Sequence, residues 1–90
     1  MSIKIEIPSF LQPFTNDVAV VGVNGSTVGE CLNYLVKQFP SIKGRLFSKY
    51  GSLFEDVIIS VNGESAYPEQ LVKPVKDGDD INITFLIGGG

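Results

Sequence analysis

Ninety residues suit one domain, and 43% hydrophobic against 19% charged content makes it globular rather than disordered. A net charge of −3 argues against nucleic acid as a partner, because binding a phosphate backbone demands a basic stripe. With no histidine and one cysteine, the chain lacks the usual general base, the commonest metal ligand and any internal disulfide.

The opening Met1–Glu6 alternates polar and apolar residues. That is the pattern of neither a signal peptide nor an anchor, and no apolar run approaches membrane length. Ser2–Ile7 reads as a strand, with Ile3, Ile5 and Ile7 on one face. Pro8 stops it, and Phe10, Leu11, Pro13 and Phe14 form an apolar loop against a sheet edge. Thr15-Asn16-Asp17 signals a turn, and Val18–Val23 is β-branched enough to be the returning strand.

Asn24-Gly25-Ser26 is the next turn. Thr27-Val28-Gly29-Glu30 then has capping-box spacing, with Thr27 as the N-cap and Glu30 reaching back. Val28, Cys31, Leu32, Leu35, Val36 and Phe39 follow at helical spacing, which predicts an amphipathic helix ended by Pro40. Cys31 lies on its apolar face and reads as core filler in a reducing, cytoplasmic setting.

Ser41–Asp56 is too apolar for a solvated loop. A short helical turn is expected around Ile42–Phe47 and a chain turn at Gly51. Lys43, Arg45 and Lys49 read as a solvated basic face. Val57–Asn62 is a strand, and Asn62-Gly63 is a strong hairpin signal. Glu64–Tyr67 and Leu71–Lys73 read as short edge pieces broken by Pro68 and Pro74.

Asp77, Asp79 and Asp80 read as a solvated turn rather than a metal site, since no further ligand has suitable spacing. The last strand alternates Ile81, Ile83, Phe85 and Ile87 against Asn82, Thr84 and Leu86, and runs into Gly88-Gly89-Gly90. The expected class is α+β, with one main helix on one face of a mixed sheet. The expected division is a domain over 1–87 and a glycine tail over 88–90.

The order of elements, the Asp77-Gly78-Asp79 turn, the last strand and the glycine end together resemble the ubiquitin-like β-grasp sulfur carriers. This family includes the small subunit of molybdopterin synthase (MoaD) and the thiamine-pathway carrier (ThiS). The stretch Ile7–Thr15 is similar to the carrier used in cysteine biosynthesis. The resemblance implies a β-grasp sheet whose first and last strands are parallel and central. It implies a protein co-substrate rather than an enzyme, with Gly90 as the group that reacts. An E1-like adenylating enzyme would join the Gly90 carboxylate to AMP from ATP, and a sulfur donor would convert it to a thiocarboxylate. The acceptor would be the large subunit of molybdopterin synthase, a cysteine synthase or a thiazole synthase. No cofactor or metal is expected on the chain itself.

The chemistry explains the glycines. A carboxylate is a poor electrophile until adenylation supplies a leaving group, and the resulting thiocarboxylate is a soft nucleophile. Gly88 and Gly89 carry no side chain to obstruct a narrow enzyme channel, and they adopt dihedrals closed to other residues. Three extended residues reach roughly 10 Å. Ordering them costs about 1–2 kcal/mol each, so the folded body must also dock. Leu86, Ile58, Phe10 and Phe14 are the candidate docking residues. Two other classes fit the same sequence: a protein modifier joined through Gly90 to target lysines, and a β-grasp module that only binds.

Overall fold

Alternation at the start of the chain becomes the first strand, β1 (Ile3–Glu6), with Ile3 and Ile5 buried and Lys4 and Glu6 exposed. The computed structural model describes residues 3–86. An antiparallel partner, β2 (Val20–Val23), pairs Ile5 with Val21. Helix α1 (Val28–Gln38) follows, then a one-turn helix α2 (Lys43–Leu46) and strand β3 (Val57–Val61). A two-residue strand β4 (Glu64–Ser65) and the last strand β5 (Asp80–Phe85) complete the sheet. The sheet order is β2-β1-β5-β3-β4, with β5 central, parallel to β1 and antiparallel to β3.

The two ends of α1 are set by local chemistry. The Glu30 backbone N–H donates to Thr27 Oγ1 at 3.2 Å, as the capping spacing requires. Glu30 reaches back one residue further than the usual box, and its carboxylate accepts from the Ser26 N–H at 2.7 Å. Phe39, held before Pro40, leaves helical geometry at φ −134° and ψ 78°. Gly29 lets the helix approach the 3-10 turn Gln70–Val72, since a Cβ there would lie 3.0 Å from the Leu71 carbonyl oxygen.

One face of the sheet and the inner face of α1 close the core. Ile5, Val28, Cys31, Leu32, Leu35, Ile42, Leu46 and Ile81 have no solvent exposure. Burying each large aliphatic side chain contributes about 1.5–3 kcal/mol before conformational entropy is counted. Cys31 is a free thiol inside this core, and burial, with the Glu30 charge second, pushes its pKa up. It is held as the unreactive thiol. Among the described residues no helix is long and apolar enough to cross a membrane.

Four stretches differ from expectation, and the first is Leu71–Lys73, which joins no sheet edge because the chain coils there into the 3-10 turn Gln70–Val72. Phe10–Phe14 is not an irregular loop but lies within a 3-10 helix, Ser9–Thr15. The second strand starts at Val20 rather than Val18, because Thr15 Oγ1 donates to the Val18 carbonyl at 2.8 Å while Asn16 and Asp17 take positive φ. Asp79 is not solvated but buried. Its carboxylate accepts from the Lys76 N–H and from Asn62 Nδ2, each at 2.9 Å, and Asn62 Oδ1 accepts from the Asp80 N–H at 2.9 Å. The acidic turn is thereby tied to the Asn62-Gly63 hairpin, whose φ values of 53° and 85° suit a type I′ turn. Those same bonds, Lys76 N–H first, hold the Asp79 carboxyl below its usual range.

Candidate functional site

The end of β5 is the point from which residues 87–90 continue, so its surroundings are the candidate site. Topology decides what lies there. Because β1 runs parallel to β5, with Glu6 opposite Asn82, the chain that follows β1 is delivered to the C-terminal end of β5. That chain is the 3-10 segment Ser9–Thr15. It is fastened by Gln12 Nε2 donating to the Ile7 carbonyl at 3.1 Å and by the burial of Leu11 and Thr15.

Phe10 meets Phe85 edge to face, with ring centroids 5.0 Å apart and planes at 72°. Phe14 lies under Arg45, whose guanidinium carbon is 4.7 Å from the ring centroid. With Phe54 and Asp56 these residues enclose an open cleft of about 690 Å³. Leu86 is pinned beside it, its N–H donating to the Asp56 carbonyl at 2.8 Å. Its side chain is 58% exposed, and Phe10 is 57% exposed.

Of the four docking candidates, Leu86, Phe10 and Phe14 come together at this end. Leu86 and Phe10 face solvent, while Phe14 is half-buried. Ile58 stands apart. It is half-buried on β3 opposite Thr84, on the sheet face turned away from the core, and lines a separate shallow cleft with Tyr67 and Gln70. Gly88, Gly89 and Gly90 lie outside the described residues.

Four members of the cleft were not singled out from sequence: Arg45, Phe54, Asp56 and Phe85. Strand alternation sends Phe85 into the core, and its position at the strand end leaves it half-buried. Arg45 is exposed with the rest of the basic face, and its guanidinium also covers Phe14. No local signal links these residues: β3 pairing with β5, Val57 opposite Phe85, brings Phe54 and Asp56 to the site, and the β1/β5 pairing brings the segment that holds Phe10 and Phe14. Among the described residues no cluster of three or more His, Cys, Asp or Glu is placed to hold a metal ion.

The model of the ThiS family matches residues 5–90, nearly the whole chain. The chain belongs to the ThiS family. It has relatives along its full length. The sulfur carrier protein CysO of Mycobacterium tuberculosis is 31% identical over 93 residues, covering 100% of both chains. A chain of the crystal structure of the Amycolatopsis orientalis BexX/CysO complex superposes with a TM-score of 0.88 at 29% identity, covering 98% of this chain and 99% of that one. Small archaeal modifier protein 1 of Haloferax volcanii is 32% identical over 71 residues, 78% of each chain. The ThiS-family fold is thus the β-grasp expected from the element order, with β1 and β5 adjacent and parallel.

Proposed function

We propose that this ThiS-family chain is a sulfur carrier, a protein co-substrate whose Gly90 carboxylate alternates with a thiocarboxylate in the cytoplasm. The observation that carries the reading is likeness to the sulfur carrier CysO along the entire chain, with the family match running through Gly90. In the first step the Gly90 carboxylate attacks the α-phosphorus of ATP, forming an acyl-adenylate and releasing pyrophosphate. A sulfide equivalent then attacks the acyl carbon, and AMP leaves with the electron pair of the broken C–O bond. The product is a thiocarboxylate, one sulfur for one oxygen. An E1-like adenylating enzyme catalyses the first step, and the chain binds no cofactor of its own.

The described residues supply the handle for this chemistry. Leu86, Phe10 and the aromatic cleft give the enzymes an apolar surface at the base of the tail. The partner is an enzyme that accepts sulfur, and of the three synthases a cysteine synthase is the one we propose. The likeness to CysO, together with the Ile7–Thr15 stretch, supports that choice.

Intact-mass measurement after incubation with an activating enzyme, ATP and a sulfide donor tests the reading. The wild-type chain should gain the mass difference of sulfur over oxygen, and a Gly90 deletion should not. A wild-type chain unchanged under conditions that thiolate CysO overturns it. The likeness to small archaeal modifier protein 1 favours a second reading, in which Gly90 is joined to target lysines. Isopeptide-linked conjugates accumulating in cells, lost on deleting Gly90, distinguish it.

A further inference from the structure

The charges of this chain are sorted by region. Residues 31–54 carry Lys37, Lys43, Arg45 and Lys49 and no Asp or Glu, so all ten acidic residues of the chain lie outside that stretch. The stretch spans the body of α1, the 3-10 turn Pro40–Ile42, α2 and the bridge between Phe47 and Leu53. All four cations are exposed. Two of them, Lys37 from the last turn of α1 and Lys43 from the start of α2, line one cleft of about 380 Å³. Val36 and Phe47 give it a half-buried apolar floor, Asn33 adds an amide, and no carboxylate lines it.

We propose that this cleft is a second docking site, which takes an acidic segment of a partner protein bearing an apolar side chain beside its carboxylates. Charge complementarity selects the occupant. A positive cleft on a chain of net charge −3 attracts a locally acidic surface, whereas a long polyanion would also meet the acidic remainder of the molecule. The apolar floor gives a protein side chain something to bury that a phosphate backbone does not offer. The site adjoins the tail-proximal surface. Lys43 lines this cleft while the next two residues of α2, Gly44 and Arg45, line the aromatic one. An enzyme seated on Leu86 and Phe10 therefore reaches the basic cleft by crossing one helical turn. The identity of that partner, an enzyme that loads or unloads the tail, rests on the carrier reading; the acidic chemistry of its segment does not.

The test uses the full-length chain, isotope-labelled for NMR, and a synthetic peptide of Asp and Glu with interspersed Leu. The amide resonances of Asn33, Lys37, Lys43 and Gly51 should move on titration, and the affinity should fall as salt rises. Lys37→Glu combined with Lys43→Glu should weaken binding roughly tenfold at low salt. Lys4→Glu with Lys76→Glu, outside the basic stretch, should leave it unchanged. Equal loss in both double variants overturns the proposal. So does a single-stranded RNA that binds the same residues as tightly, or movement of these resonances when the chain alone is concentrated, which would make a second copy the occupant. The mass-gain experiment uses no peptide, so failure of the carrier chemistry and failure of this site are read separately.

Discussion

Asp79 and Glu6 are two carboxylates with opposite pH behaviour. Asp79 has its folded-state pKa lowered by the Lys76 N–H and the Asn62 amide. Its contribution to stability is therefore complete above the ordinary carboxylate range and is lost as pH falls through the lowered value. Hydrogen bonding to Asp80 and then the Asp80 charge raise Glu6. Its ionisation opposes folding, so the penalty is absent in acid and sets in as pH rises through the ordinary range. Asp79→Ala should lower the thermal midpoint at neutral pH and flatten the acid limb of a midpoint-against-pH plot. Glu6→Gln should raise the neutral midpoint, with the difference vanishing in acid. Gly89 is a residue of a third kind. Gly89→Phe should abolish transfer to sulfur in the mass assay while moving stability by less than about 0.5 kcal/mol in urea unfolding.

At the scale of elements, α1 was the most legible because periodicity, cap and stop signal agreed on it. Thr27→Ala removes the acceptor for the Glu30 N–H and should cost about 1 kcal/mol of unfolding free energy, measured by the urea midpoint. The last strand and the Asn62-Gly63 hairpin were equally plain, since alternation and turn chemistry coincide there. Ser9–Thr15 was not legible as helix. Pro8 and Pro13 break any period, and the segment is held by Gln12 and Thr15 side chains bonding to backbone carbonyls. The burial of Asp79 was hidden too, because its amide partner, Asn62, is 17 positions earlier in the chain. The aromatic cleft was half legible: Phe10, Phe14 and Leu86 were named, but their convergence with Arg45 and Phe54 depends on β5 pairing with both β1 and β3, which no local pattern encodes.

The whole molecule separates what holds the fold from what faces solvent. Ile5, Leu32 and Ile81 are fully buried, while Leu86 and Phe10 are more than half exposed beside the end of β5. Leu86→Ala should leave stability within about 0.5 kcal/mol. Phe10→Ala should cost about 1 kcal/mol through its edge contact with Phe85. Both should raise KM for the activating enzyme, several-fold, in a thiocarboxylate-formation assay with little change in kcat. The strand that leads into the tail is also the middle one of five, laddered to β1 on one side and β3 on the other. Traction applied through the C-terminus loads both ladders along their length, so their bonds must shear together instead of unzipping one by one. A pull on the chain just beyond Leu86 therefore meets the sheet along its most resistant line.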